Sequence, residues 1–294
     1  MKLFARVALP LVLGAAAASA QSASRPAGTL FIVGGGTQPK PLVEHFVALA
    51  GGPGKARIAI FPMASGDSTT GPEKAEELRG LGADAFVVNI TRAQADADSL
   101  VRLVSGATGI WFPGGDQSRL TRALAGSAVL RAIHARYQAG AVVGGTSAGA
   151  AIMSDSMLTG NQRRPDGTLD TAGTGYPRIA RGTIEVVPGL GFLHGAIVDQ
   201  HFLRRQRANR LMSVVLERPT LLGVGIDEGT ALRVDPDGRW TIEGASAAIV
   251  FDARDAAITP ASAPRLGETG MRVHILPAGS TFDPRTGRAA LPAR

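Results

Sequence analysis

Residues 141–153 read Ala141-Val142-Val143-Gly144-Gly145-Thr146-Ser147-Ala148-Gly149-Ala150-Ala151-Ile152-Met153. A short apolar run ends at two glycines, a serine follows between small residues, and helix-compatible residues come next. This is the pattern of a strand, a sharp turn and a helix. Gly145, Ser147 and Gly149 match G-x-S-x-G, in which small neighbours let a serine occupy a strained turn. We expect the Ser147 hydroxyl to stand above a sheet edge, with the N–H of Ala148 facing a developing oxyanion.

The same five residues also fit a Gly/Ala-rich turn that cradles a phosphate at a helix N-terminus or binds nothing. The segments on either side of this turn are therefore needed to choose between a nucleophile and a phosphate-binding or inert turn. Strand patterns at 29–33, 57–61, 85–90 and 108–112 alternate with helical patterns at 42–49, about 72–81, about 93–105 and 117 to about 138. This alternation predicts right-handed βαβ units and a mostly parallel α/β sheet flanked by helices. Short strands after about residue 231 predict antiparallel pairing at the sheet edge.

Loops at the carboxyl ends of parallel strands share one edge of the sheet. The loop Gly114-Gly115-Asp116-Gln117 follows one such strand, and the serine turn follows the next, so we expect them to be neighbours. The segment Asn161–Gly182 is rich in Gly, Pro, Arg and Asp and is too long for a simple connection. It fits an active-site flap or a surface excursion without function.

The first 20 residues have the organisation of an export signal. Lys2 and Arg6 precede an apolar stretch, Val7 to Ala18, which ends in Ala18-Ser19-Ala20. The stretch is short of the ~20 residues that span a bilayer comfortably. We therefore predict a signal peptide at 1–20 and one catalytic domain at 21–294. The mature protein would be periplasmic or extracellular, with no stable membrane insertion.

Composition narrows the chemistry. The 294 residues are 45% hydrophobic and 19% charged, which allows a substantial core. The net charge of +7 is spread along the chain, and no basic tract is interleaved with aromatics, so nucleic-acid binding is not expected. The absence of cysteine excludes disulfides, thiolate metal sites and a cysteine nucleophile. The loop Gly34-Gly35-Gly36 does not extend to G-x-G-x-x-G, because no glycine stands at the third glycine position, which argues against dinucleotide binding.

A serine nucleophile needs a base, and His201 is the best placed. It follows the strand pattern 195–199, at the edge expected for Ser147. Glu228 follows the strand pattern 222–226 and is our choice to orient the imidazole, whereas Asp227 should point to the other side of the chain. Asp199 stays a second candidate for that role. The remaining histidines are less suited, lying in helical patterns, at the opposite edge or inside a late strand: His45, His134, His194 and His274.

The order Ser, His, Glu argues against an α/β-hydrolase, in which the acid precedes the histidine. Glutamine-amidotransferase-like proteins use a comparable elbow but need a cysteine there. Four segments together resemble the cyanophycinases, serine exopeptidases of peptidase family S51, over about residues 29–250. These segments are Gly114–Gln117, Gly145–Ala150, Asp199–Phe202 with Arg205, Arg207 and Arg210, and Gly225–Ala231.

The resemblance implies a class I glutamine amidotransferase-like α/β sandwich (flavodoxin-like), commonly dimeric, without metal or cofactor. It implies Ser147 as nucleophile, His201 as base and Glu228 as its acid, with backbone N–H groups of Ala148 and Gly115 at the oxyanion. Four further residues would shape the substrate pocket: Gln117, Asp199, Gln200 and Arg210.

The implied substrate is cyanophycin, a poly-aspartate whose side chains each carry arginine, cleaved through an acyl-enzyme to β-Asp-Arg dipeptides. Asp199 could then pair a substrate guanidinium and an arginine could grip a carboxylate, although Arg204–Arg210 also fits a solvated helix face. Two other readings stay open: an S51 dipeptidase on short Asp-containing or β-aspartyl peptides, and a non-catalytic periplasmic binding protein of the same fold.

Overall fold

A computed structural model describes residues 25–164, 166–170, 178–263 and 265–293. The predicted export signal lies outside these residues. The helices are α1 (Lys40–Leu49), α2 (Thr70–Gly80), α3 (Asp98–Ser105), α4 (Gln117–Leu124), α5 (Ala128–Gln138), α6 (Ala148–Ala151) and α7 (Ala208–Glu217). None of the helices in this part of the chain is long and apolar enough to cross a membrane.

Strands and helices alternate in the first half of the chain, and after α6 the one helix among the described strands is α7, between residues 200 and 222. The first nine are β1 (Leu30–Val33), β2 (Arg57–Ile60), β3 (Asp84–Val87), β4 (Gly109–Phe112), β5 (Val142–Thr146), β6 (Ser156–Arg163), β7 (Leu169–Asp170), β8 (Ile184–Pro188) and β9 (Ala196–Gln200). The others are β10 (Leu222–Ile226), β11 (Thr230–Val234), β12 (Trp240–Gly244), β13 (Ala247–Asp252), β14 (Ala257–Ile258), β15 (Glu268–Thr269), β16 (Arg272–Pro277), β17 (Thr281–Asp283) and β18 (Arg288–Ala290).

The large sheet has nine strands in the order β18-β17-β12-β11-β1-β5-β4-β2-β3. From β1 to β3 in this order all neighbours are parallel. From β1 to β18 all neighbours are antiparallel. This confirms the predicted α/β class, with a parallel block and antiparallel edge strands from the C-terminal part.

A second sheet of four strands, in the order β16-β13-β10-β9, lies apart from the first. Its strands β9 and β10 are parallel and carry His201 and Glu228 at their carboxyl ends. The expectation that these residues share one sheet with Ser147 was therefore wrong. Both sheets contain short strands that are buried on two faces. The sequence of such a strand is a short apolar run, and this pattern is the same for either sheet.

The core joins the two sheets face to face. Ile32 and Leu232 on the large sheet share one buried cluster with Val198, Val224 and Val250 on the small one. The same face of the large sheet is covered further along by α4 and α5. Helices α1 and α2 pack on its opposite face, and α7 packs on the outer face of the small sheet. The catalytic candidates thus lie where two packed sheets meet.

Two helical predictions were wrong in their bounds. The expected single helix from Gln117 is two helices, because Gly126 takes φ 69° and Ser127 caps α5 by accepting a 3.0 Å hydrogen bond from the N–H of Leu130. The expected basic helix begins only at Ala208. Arg204 and Arg205 precede it in a turn.

The excursion 161–182 belongs in part to a small antiparallel sheet, in the order β7-β6-β8. Residues 165 and 171–177 of it lie outside the described part of the chain. Strand β6 begins only three residues after Met153, so this sheet continues directly from the serine turn. The two functional readings of the excursion stay predictions.

Candidate active site

Ser147 lies at the turn between β5 and α6 in a conformation that side chains rarely adopt, φ 54° and ψ −109°. Such a backbone costs about 1–3 kcal/mol and must be held by its surroundings. The N–H of Ser147 donates to the carbonyl of Val33 at 3.1 Å, which ties the turn to β1. A β-carbon at Gly145 would lie 2.6 Å from the Gly149 carbonyl oxygen, and one at Gly149 would collide with the Phe112 carbonyl. Both glycines of the motif are therefore required by close packing.

Three side chains meet above this turn. The Ser147 Oγ lies 2.9 Å from Nε2 of His201. The His201 Nδ1 lies 2.6 Å from Oε1 of Glu228. A carboxylate accepts only, so Nδ1 carries the proton and donates to Glu228, which leaves Nε2 to accept from the serine hydroxyl. This is the hydrogen-bond chain that general-base activation of a serine requires.

His201 follows β9 and has a strained backbone of its own, with φ 50°. Its N–H donates to the Gly34 carbonyl at 2.6 Å. The side chain of Asp227 accepts from the N–H groups of Leu203 and Arg204, both at 3.1 Å. Asp227 therefore holds the turn after His201 and does not contact the imidazole, which agrees with the strand alternation that put it on the other side of the chain.

The environment of His201 favours a neutral imidazole. Burial lowers the pKa of His201 below its ordinary value, since the protonated ring loses hydration. The hydrogen bond to Glu228 opposes this shift, and the positive charge of Arg205 adds to it. The side chain of His201 is 9% exposed, against 33% for Glu228. A base of this kind is deprotonated at neutral pH and ready to accept a proton.

The three glycines after β1 explain how the imidazole and carboxylate are held. A β-carbon at Gly35, which has φ 108°, would overlap the His201 ring. One at Gly36 would lie 2.9 Å from Oε2 of Glu228. Sequence reasoning tested this loop only as a dinucleotide motif and so missed its role. The available signal was a glycine triplet at the carboxyl end of a strand beside the predicted elbow.

The loop after β4 lies beside the nucleophile, as predicted. A β-carbon at Gly114 would lie 3.3 Å from Cβ and 3.8 Å from Oγ of Ser147. Gly115 has φ 136° and packs on the Ala64 carbonyl. Ala148 is the first residue of α6, and the N–H groups of a first helical turn have no intrahelical partner. The oxyanion role of Ala148 and Gly115 stays a prediction.

Asp199 and Arg210, which were predicted to shape the substrate pocket, are buried and bonded to each other, and their contacts with substrate stay predictions. Asp199 and Arg210 are 0% and 1% exposed. Arg210 Nε donates to Asp199 Oδ2 at 2.6 Å, and its Nη2 donates to the other oxygen. The backbone N–H of Gln200 donates to Asp199 Oδ1 at 2.8 Å. Two buried opposite charges satisfy each other, so Asp199 pairs a guanidinium of the protein and is not the third member of the triad.

Gln117 and Gln200 are also buried and bonded within the protein. Gln117 Nε2 donates to the carbonyls of Leu158 and Thr159, at 2.8 and 2.6 Å. Gln200 Oε1 accepts from Arg207 at 2.9 Å. Gln117 thus connects the loop after β4 to the excursion strand β6, next to the serine turn. Their contacts with substrate stay predictions.

The other histidines lie elsewhere. Their partners are Glu243 for His45, the Leu190 carbonyl for His134 and Asp155 for His194, while His274 lies in β16. Within the described ranges no three His, Cys, Asp or Glu side chains are grouped as metal ligands would be. The site is therefore a Ser, His, Glu arrangement enclosed by glycine loops.

Comparison with known proteins identifies the family of the chain. The model of peptidase family S51 matches residues 30–241. The chain belongs to peptidase family S51. A cyanophycinase from Synechococcus elongatus is 30% identical over 273 residues, covering 88% of this chain and 80% of the relative. A cyanophycinase from a Nostoc species is 31% identical over 268 residues, covering 86% and 85%.

The S51 chain also has a fold seen by crystallography. The crystal structure of a peptidase from an acI-B1 actinobacterium superposes with a TM-score of 0.62 at 21% identity, covering 87% of this chain and 96% of that one. The resemblance inferred from four sequence segments is thereby confirmed, and the chain is a serine-type hydrolase.

Proposed function

We propose that this S51 peptidase hydrolyses cyanophycin to β-Asp-Arg dipeptides through an acyl-enzyme on Ser147. The observation that carries the mechanism is the chain of two short contacts, 2.9 Å from Ser147 Oγ to His201 Nε2 and 2.6 Å from His201 Nδ1 to Glu228 Oε1. The relatives named above are cyanophycinases. They support the choice of substrate.

In the acylation step Ser147 Oγ attacks the scissile carbonyl carbon while His201 Nε2 takes the hydroxyl proton. The negative charge that develops on the carbonyl oxygen falls beside the N–H groups assigned to Ala148 and Gly115. The imidazolium is stabilised by Glu228 through Nδ1–H. Collapse breaks the C–N bond, and the proton on Nε2 passes to the leaving amine. The serine ester remains.

Deacylation uses the same groups with water in place of the hydroxyl. His201 Nε2 removes a proton from water, the resulting hydroxide adds to the ester carbonyl, and the proton returns to Ser147 Oγ as the ester breaks. Ser147 has a strained backbone with φ 54°, and its Oγ lies beside Gly114 of the loop after β4. One water molecule is consumed for each bond cleaved, and the three side chains return to their starting states.

The test of this function is digestion of insoluble cyanophycin with identification of soluble product by mass. We expect β-Asp-Arg from the wild type and none from Ser147→Ala. Short α-linked Asp dipeptides are the second substrate, because an S51 dipeptidase would cleave these and leave the polymer intact. Binding of the polymer without product from the wild type would support the non-catalytic binding protein instead.

We also propose that the protein is exported, on the strength of the n-region, apolar stretch and Ala18-Ser19-Ala20 at the N-terminus. Export would supply a scavenging role on polymer outside the cytoplasm. Expression of the full chain in a Gram-negative host, with N-terminal sequencing of the periplasmic fraction, tests it. A mature N-terminus near Gln21 is expected, and a protein that keeps Met1 in the cytoplasm would contradict export.

A further inference from the structure

A cavity of about 550 Å³ lies beside the nucleophile loop and contains none of the triad residues. It opens near the carboxyl ends of β2 and β3 and against α4. Its lining includes Pro62, Met63, Ser65–Ser68 and Asn89–Arg92. The cavity thus lies on the same edge of the parallel block as Ser147.

One loop separates the cavity from the nucleophile. Gly114 lies against Ser147, and Gly115, its neighbour, packs on the carbonyl of Ala64. The N–H of Asp116 donates to that same carbonyl at 2.9 Å. Ser65, the next residue after Ala64, lines the cavity. A chain that extends from the Ser147 hydroxyl across the glycine loop would enter this space.

The charges of the cavity are predominantly positive. Its lining includes the guanidinium groups of Arg92, Arg119 and Arg122 and one carboxylate, that of Asp67. Arg92 is paired with Asp96 at 2.7 Å and Arg122 lies 3.8 Å from Asp116.

Arg119, unlike Arg92 and Arg122, has no carboxylate partner among the described residues. Among the described residues its side chain makes no hydrogen bond or ion pair, and its Nη1 lies 3.5 Å from the point that a β-carbon on Gly66 would occupy. An exposed arginine on a convex helix face is ordinarily solvated. Arg119 instead lies in a concavity with two further guanidinium groups, where an anion meets several donors at once.

We propose that this cavity is an accessory site for a polymeric peptide substrate, in which Arg119 binds a carboxylate of a unit beyond the two that flank the cleaved bond. The proposal rests on the proposed function. Each unit of cyanophycin carries both a carboxylate and a guanidinium. Arg119 offers a bidentate grip for the carboxylate. Asp67, whose Oδ1 accepts from the Thr69 N–H at 2.8 Å, offers its other oxygen to the guanidinium.

The site predicts a difference between long and short substrates. A polymer reaches both the triad and the cavity, so its apparent affinity includes the contact with Arg119. A single dipeptide unit bound at Ser147 does not cross the glycine loop. Loss of Arg119 should therefore weaken polymer binding and leave turnover of a minimal substrate unchanged.

The binding experiment uses Ser147→Ala protein, so that the polymer stays intact, and co-sedimentation with insoluble cyanophycin. Adding Arg119→Ala should weaken binding about tenfold, as expected for loss of a charge-assisted hydrogen bond. Arg119→Glu should weaken it further. The control is Arg102→Ala, which removes the same charge from α3, outside the cavity lining.

The kinetic experiment compares Arg119→Ala with the wild type on polymer and on the shortest β-Asp-Arg oligomer that the wild type cleaves. We expect a raised KM for polymer and an unchanged kcat/KM for the oligomer. Added salt should raise the polymer KM of the wild type more than that of Arg119→Ala, because salt screens an exposed charge contact.

Three outcomes decide the matter. Equal sedimentation of Arg119→Ala and Arg102→Ala overturns the accessory site, whether or not the polymer is cleaved. Absence of any polymer binding by Ser147→Ala protein also overturns it. If the wild type releases no dipeptide but binding still depends on Arg119, the accessory site stands and the proposed function fails.

Discussion

Gly35 packs so closely against the imidazole of His201 that a β-carbon at residue 35 would overlap the ring. The loop after β1 therefore sets the position of a base that comes from β9, in the other sheet. A hydrogen bond from the His201 N–H to the Gly34 carbonyl, at 2.6 Å, fixes the same two segments. The two sheets are held together at the point where the proton is transferred.

Gly35→Ala should reduce kcat/KM about a hundredfold or more, because the methyl group displaces the imidazole from Ser147, and a displacement of about 1 Å has that effect. The positive φ also makes alanine less favourable by about 1–2 kcal/mol. The control is Gly52→Ala, which has φ 82° but open space around its β-carbon position. It should show a similar loss in the free energy of unfolding with wild-type kinetics. Equal activity of both variants would remove Gly35 from the account.

Glu228→Gln should lower kcat by about a thousandfold with little change in KM. The amide keeps the size of the carboxylate but loses the charge that stabilises the imidazolium and fixes the tautomer. The matched variant is Asp227→Asn, one residue earlier, whose side chain bonds the turn at Leu203 and Arg204. We expect it to stay within tenfold of the wild type. A reversed ranking in steady-state assays would make Asp227 the acid.

The acid limb of the kcat/KM profile should lie below the ordinary histidine pKa of about 6.5. Burial lowers the pKa of His201, so the imidazole stays an active base to lower pH. Arg205→Gln removes a positive charge that also lowers this pKa. Its acid limb should therefore move to higher pH, and activity near the limb should fall. Arg204→Gln, an exposed neighbour that is not among the groups shifting His201, should leave the limb in place. A shift shared by both variants would contradict the specific effect of Arg205.

Asp199→Asn should lower the free energy of unfolding by roughly 3 kcal/mol, because removing one charge of a buried pair leaves the other uncompensated. The partner is Arg210, 1% exposed. For comparison, Glu76→Gln breaks an exposed pair with Arg79 and should change stability by about 1 kcal/mol or less. Urea denaturation measures both. Unchanged stability with a raised KM in Asp199→Asn would instead support the predicted contact of Asp199 with substrate.

The sequence predicted the parts of the site that depend on local geometry. G-x-S-x-G requires small residues at Gly145 and Gly149, and the structure shows why, since neither position has room for a β-carbon. The placement of His201 and Glu228 after successive strands could be predicted, because β9 and β10 are parallel neighbours. The order of strands along the chain predicts which strands are neighbours where successive strands pair, as β9 and β10 do.

What depends on distant packing could not be predicted. An apolar strand pattern does not indicate which of two sheets the strand belongs to. For this reason the placement of β9 and β10 in a different sheet from β5 was not predicted. The buried ion pair between Asp199 and Arg210 could not be predicted either, since the two residues are eleven positions apart and lie on different elements. The break at Gly126-Ser127 was recoverable, because glycine followed by an N-cap serine is a helix boundary signal.

The most direct measurement of the central claim is covalent labelling with a serine-directed fluorophosphonate, read by intact mass and peptide mapping. We predict one adduct on the wild type, located at Ser147, no adduct on Ser147→Ala, and much slower labelling of His201→Ala. Equal labelling of the wild type and Ser147→Ala, or an adduct mapped to another residue, would contradict a nucleophile activated by His201.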